Sequence, residues 1–149
     1  MMTLPRATSV DTDAAEADTA ADAYVVLDFQ DRHRRRLTLT TEDGMSFLLD
    51  LPHTQALADG DRLVLTDGRR IRVNAKHEAL LHIRAADPHT LMRIAWHLGN
   101  RHLAVAMFAD RIDILADHVI AQMVQGLGGQ VTQGHGVFQP ERGAYAHEH

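Results

Sequence analysis

The stretch from Asp87 to His102, D-P-H-T-L-M-R-I-A-W-H-L-G-N-R-H, decides how the second half of the chain is read. Asp87-Pro88 is a helix start: an Asp side chain accepts from the orphaned N–H groups of the first turn, and Pro fits the first helical position. Leu91, Ile94, Ala95 and Leu98 then recur at i, i+3, i+4 and i+7 and build one apolar face. Gly99 stands where a left-handed residue closes a helix. The expected helix therefore ends at Gly99, with His97 just inside the end and His102 in the link that follows.

Working outward, A-L-L-H-I-R-A (79–85) reads as a strand before this helix and L-A-V-A-M-F (103–108) as a strand after it. Ala109-Asp110-Arg111 is a tight turn, and I-D-I-L (112–115) the returning strand. Asp117 caps a second helix whose Ile120, Met123, Val124 and Leu127 share a face, and Gly128-Gly129 ends it. V-T-Q-G-H-G-V-F (131–138) is a last strand interrupted by glycines. The order is β-α-β-β-α-β, the ferredoxin-like pattern.

The first half has a different period. Y-V-V-L-D-F (24–29), R-L-T-L-T (36–40), M-S-F-L-L-D-L (45–51), R-L-V-L-T (62–66) and R-I-R-V-N-A (70–75) are short β-like runs separated by turn residues. Asp67-Gly68 between two alternating runs is the strongest of the hairpin signals. The fold class is therefore α+β: a small all-β domain over 23–76, then a ferredoxin-like domain over 77–145. Residues 1–22, rich in Ala, Thr, Asp and Ser, read as a disordered tail, and 146–149 as a short histidine-containing tail.

The totals narrow the function classes. The net charge is −5, but residues 1–23 carry five acids and one base, which leaves the rest at −1. That near-neutral remainder argues against a nucleic-acid partner, which calls for a basic face. Arg34-Arg35-Arg36, the one dense basic run, reads as a solvated edge or loop. No apolar run approaches the ~20 residues of a membrane span, and the start lacks a secretory signal, so the expectation is a cytoplasmic protein without a membrane partner. There is no cysteine, so any metal must be held by imidazole and carboxylate. No H-E-x-x-H, phosphate loop or G-x-S-x-G is present, and the two serines, Ser9 and Ser46, have no motif context. The chain reads as a non-enzyme.

Histidine is the residue type that stands out: 11 in all, seven of them between residues 89 and 149. His97 falls beside Arg93 and Asn100, away from the apolar face, as a surface or capping residue. His102 stays open between a link residue and a metal ligand. His118 follows the Asp117 cap in the first turn of a helix, where a cation is disfavoured and the neutral, ligand-competent ring is favoured. His82 and His89 look structural or solvent-facing, and His135 stays open. His147 and His149, spaced H-x-H, form a plausible weak metal catcher at the end of the chain.

Four blocks, A-W-H-L-G-N-R-H (95–102), D-H-V-I-A-Q-M (117–123), L-G (127–128) and F-Q-P-E-R-G-A-Y (138–145), carry a resemblance in order and spacing to the UreE family of urease accessory proteins, which are nickel metallochaperones. The β module is compatible with that family but less diagnostic. The resemblance implies an N-terminal peptide- or protein-binding β domain and a C-terminal domain that carries nickel and forms a homodimer. It implies that His102 is the principal ligand, placed at the two-fold interface, and that His118 is a secondary one. Where some members have a second histidine two residues earlier, this chain has Ala116; where many have a long histidine-rich tail, this chain has only His147 and His149.

A two-fold axis brings a residue to its own copy, so a dimer would present two His102 rings, with His147 and His149 available to complete the shell. Nitrogen ligands suit Ni2+, and Zn2+ or Cu2+ as well. The implied partners are other urease accessory proteins, including the GTPase partner, and the apo-urease complex. The competing reading is a metal-independent adaptor acting through the N-terminal β domain. A metal-dependent hydrolase is a distant third, since no general base lies near the histidines.

Overall fold

The computed structural model describes residues 3–12 and 21–141. The chain divides into two compact units, Met1–Lys76 and His77–His149. The first is a six-stranded sheet made of β1 (Arg6–Asp11), β2 (Ala23–Leu27), β3 (Arg36–Thr40), β4 (Ser46–Asp50), β5 (Arg62–Leu65) and β6 (Arg70–Ala75). Their spatial order is β2-β6-β5-β1-β4-β3. Alternation explains the faces: in β6 every second residue, Ile71, Val73 and Ala75, is buried, and in β4 Phe47 and Leu49 are. Phe47, Leu49, Ile71 and Val73 form one core with Leu57, Leu63 and Leu65. The Asp67-Gly68 hairpin is present, with Gly68 at φ 92 and its N–H donating to the Leu65 carbonyl at 2.9 Å.

One expectation is overturned here. Residues 6–11, read as part of a disordered tail, form β1, a central strand of the sheet. β1 pairs parallel with β4 and antiparallel with β5. Ala7 is the strand's one fully buried apolar side chain, so the strand's own hydrophobicity gives no sign of it. Its order comes from backbone pairing on both edges and from ion pairs to neighbouring strands, Arg6 to Asp50 at 2.8 Å and Asp11 to Arg70 at 2.6 Å. Of the proposed tail, residues 1–2 and 13–20 lie outside the described residues.

The second unit runs β7 (Glu78–Arg84), α1 (Pro88–Asn100), β8 (Ala106–Met107), β9 (Ile112–Leu115), α2 (His118–Gly126) and β10 (Gln130–Gly136). The sheet order is β10-β7-β9-β8, with every neighbouring pair antiparallel. Leu81 and Ile83 of β7 and Ile112 and Ile114 of β9 pack with Ile94 and Leu98 of α1 and with Ile120 and Val124 of α2. These helix residues come from the apolar faces that the 3.6-residue period picks out. Two packed layers, helices on a sheet, give the α+β class.

Two boundaries differ from expectation. α1 does not close at Gly99; it runs to Asn100, and its left-handed residue is His102. The expected strand over 103–108 shrinks to Ala106–Met107. Residues 103–105 are used in leaving the helix, and Leu103 and Val105 reach the core without joining the ladder.

Candidate metal centre

The position of His102 follows from how α1 begins and ends. At its start the Asp87 carboxylate accepts from the Thr90 N–H at 2.8 Å and from the Thr90 hydroxyl at 3.0 Å. Those two bonds, the backbone one foremost, hold the Asp87 carboxyl below the usual carboxylate range. At its end the His102 N–H donates to the Gly99 carbonyl at 2.9 Å and the Leu103 N–H to the Leu98 carbonyl at 3.2 Å. That pair of bonds is the Schellman closure, with His102 as the left-handed residue and Leu103 folding back towards Leu98 in the core. His102 has φ 58, the one positive φ outside glycine among the described residues. Left-handed backbone costs a Cβ-bearing residue roughly 1 kcal/mol, although histidine tolerates it better than most. The result is an exposed histidine whose backbone is fixed just past the helix.

An exposed apolar stripe runs along α1. Met92 and Trp96, one helical turn apart, are 67% and 64% exposed. Beside them an open groove of about 380 Å3 is lined by Pro88, Leu91, Met92, Ala95, Met107 and Phe108. His97 is half-buried and stands edge-on to the Trp96 ring, with ring centroids 5.0 Å apart. It is a helix-surface residue in contact with the stripe, as its position off the apolar face suggests.

His118 opens α2 directly after its cap; the Asp117 carboxylate accepts from the Val119 N–H at 2.9 Å and the Ile120 N–H at 3.1 Å. The ring is exposed, and its Nε2 lies 3.2 Å from the Gln122 amide nitrogen. An amide N–H donating there leaves Nε2 as the lone-pair nitrogen of a neutral imidazole. A shallow hollow of about 290 Å3 beside it is lined by Leu81, Ala116, Asp117, Ala121 and Gln133.

Among the described residues, no group of three or more His, Asp or Glu side chains is arranged to hold a metal ion. His102 and His118 are thus not joined into one site with other protein ligands there. His147 and His149 lie outside the described residues.

The structure adds one polar network that sequence spacing did not expose. His82 and Asp113 are directly opposite on β7 and β9, and the ring Nδ1 meets the carboxylate at 2.7 Å. The Arg111 guanidinium donates to both oxygens of Asp113, at 2.8 and 3.2 Å. Burial alone would raise the Asp113 carboxyl; the bonds from Arg111 and His82 outweigh it and hold the group below the usual range. The His82 ring lies over Gly134 of β10, where a Cβ would collide with its Nε2. The network is visible in sequence only once the strand register is known.

The chain is a two-domain α+β protein with an exposed histidine in a left-handed turn, and comparison with known proteins gives the family. The UreE urease accessory protein N-terminal domain matches residues 4–76, and the C-terminal domain of the same family matches residues 78–149. A urease accessory protein UreE of Rhodopseudomonas palustris (strain HaA2) is 57% identical over 132 residues, covering 89% of this chain and 61% of the relative. UreE 1 of Brucella suis biovar 1 is 46% identical over 132 residues, covering 89% of this chain and 82% of its own length. UreE of Chelativorans (strain BNC1) is 48% identical over 145 residues, with 97% and 89% covered. The chain belongs to the UreE family of urease accessory proteins. It spans about three fifths of the length of the relatives it matches at 57% identity.

Proposed function

We propose that this protein is a nickel metallochaperone that binds Ni2+ as cargo through His102 and delivers it for assembly of the urease active site. The observation that carries the reading is the left-handed, exposed His102 closing α1 beside the Met92–Trp96 stripe. One imidazole holds a divalent ion poorly. A homodimer through the second unit, with α1 near the axis, would place two His102 rings on one ion. Large exposed apolar side chains on one helix face support such a contact. Gly99 is consistent with it: it sits inside α1, where glycine weakens a helix, with open space around it among the described residues.

His118 is the secondary ligand in this reading, reached by displacing Gln122, and His147 and His149 are ligands supplied by the tail. An incompletely filled, exposed site favours release to a receiver over storage. Zn2+ and Cu2+ would occupy the same nitrogens. The receivers are other urease accessory proteins, among them the GTPase partner, and the apo-urease complex, in the cytoplasm. The β10-β7-β9-β8 order with antiparallel neighbours supports a ferredoxin-like topology for the metal-carrying unit. Protons compete with metal for imidazole nitrogen, so binding weakens in acid.

The test is urease activation in cells or extracts at limiting nickel, with His102→Ala replacing the unaltered chain. Loss of activation that excess nickel restores supports delivery through His102. Full activation at limiting nickel by His102→Ala contradicts it. The adaptor reading draws on the first unit, where β2 ends the sheet with Tyr24 and Val26 exposed. It is favoured if partner binding is unchanged by nickel and by chelator.

A further inference from the structure

The antiparallel pairing of β7 with β10 places a second pair of histidines together. His135 of β10 is opposite Ala79, and the register continues through Gly136 opposite Glu78, which sets His77 diagonally across from His135. Diagonal neighbours on antiparallel strands lie within reach of long side chains. The two ring centroids are 6.1 Å apart and the ring planes are inclined at 47°.

We propose that His77 and His135 form a separate metal-binding site, one in each protomer, that takes a borderline divalent cation of the Ni2+, Zn2+ or Cu2+ class through its two imidazoles. With metal–nitrogen bonds of about 2.1 Å, two imidazoles on one tetrahedral or octahedral ion have centroids roughly 4.5–5.5 Å apart. The observed separation is close to that span. Both side chains are exposed, so small rotamer changes supply the difference without moving the strands.

The state of the ring nitrogens also fits. The His82 ring is tied to Asp113 and the His118 ring to Gln122. Among the described residues, His77 and His135 contact one another and neither ring makes a hydrogen bond, which leaves lone pairs free for a cation. Neutral imidazole suits borderline divalent ions and not the hard, oxygen-seeking ones. Two protein ligands with water in the remaining positions make a weak site that fills and empties readily. It does not rest on the nickel-delivery reading, because it uses no residue of the His102 centre and needs no second copy of the chain.

The experiment titrates the full-length His102→Gln chain with Zn2+ and follows every imidazole by its 15N resonances, in that background and with His77→Gln, His135→Gln or both added. The expected result is that the His77 and His135 nitrogens shift together at the same Zn2+ concentration. Either further substitution should weaken that step at least about tenfold, and the double change should add little more, since a chelate is lost with either arm. The substituted positions are exposed, and unchanged amide spectra confirm the fold. Independent shifts of His77 and His135, a step unaffected by either substitution, or a step in which His135 moves with His147 and His149 and not with His77 would each overturn the site.

Discussion

The two helices of the second unit close with the same pair of backbone hydrogen bonds, but with different residues at the left-handed position. In α2 that residue is Gly128, at φ 96, with the Gly128 N–H on the Gln125 carbonyl and the Gly129 N–H on the Val124 carbonyl. In α1 it is His102, at φ 58. Glycine takes this backbone without penalty, and a side chain does not. α2 is therefore closed without strain, while α1 holds an exposed histidine side chain at that position at some cost in strain. Conformations of this kind persist where the surroundings over-determine them; here the buried Leu98 and the partly buried Leu103 hold the turn shut from both sides.

The comparison can be broken most forcefully at His102. His102→Gly should lower Ni2+ affinity about 100-fold, or ~2.7 kcal/mol, while stabilising the second unit by about 0.5–1 kcal/mol as the strain is relieved. Calorimetric titration and thermal unfolding read the two effects, which should have opposite signs. If the variant is less stable, His102 is not strained.

A change in the sheet calibrates that scale. Asp113→Asn should cost about 2 kcal/mol at neutral pH, because it weakens charge-assisted bonds from Arg111 and His82. The Asp113 carboxyl is held lower in the folded than in the unfolded chain. Its contribution is therefore complete above the ordinary Asp pKa of about 3.9 and lost as pH falls below it. Denaturant midpoints of the two chains should converge in acid.

Gly128→Ala should cost about 1 kcal/mol by importing into α2 the strain that α1 already carries; chemical denaturation measures it. The smallest effect sharpens the comparison along α1 itself. Gly99→Ala should raise helix stability by up to about 1 kcal/mol, since a Cβ there meets nothing among the described residues. It should weaken self-association if Gly99 faces a second copy, which sedimentation at a series of concentrations would report.

These features differ in how far the sequence discloses them. Asp87 and Asp117 are legible as caps because a short acceptor directly precedes an apolar period, and the structure gives both the expected bonds. The strands β2 to β6 are legible from their period of two and the turn residues between them. β1 is not, because its stability comes from β4 and β5, which lie far away in sequence, and from the ion pairs of Arg6 and Asp11. Gly99 misleads because it follows the last apolar residue of the face, whereas the left-handed residue comes three later, at His102, with Leu103 returning to Leu98. The blocks around His102 and His118 point to those two residues only through the family resemblance they carry; residue spacing leaves both open. The pairing of His77 with His135 and of His82 with Asp113 depends on strand register, which residue spacing within one strand does not contain.

The central claim is that His102, fixed in the left-handed turn after α1, is the nickel ligand shared by two copies of the chain. Native mass spectrometry of the full chain and of His102→Gly, each with limiting Ni2+, tests it directly. The expected result is about one Ni2+ per two protomers for the unaltered chain and a dimer with far lower nickel occupancy for the variant. Equal nickel occupancy of the two dimers, or nickel carried by unaltered protomers that do not pair, would contradict it.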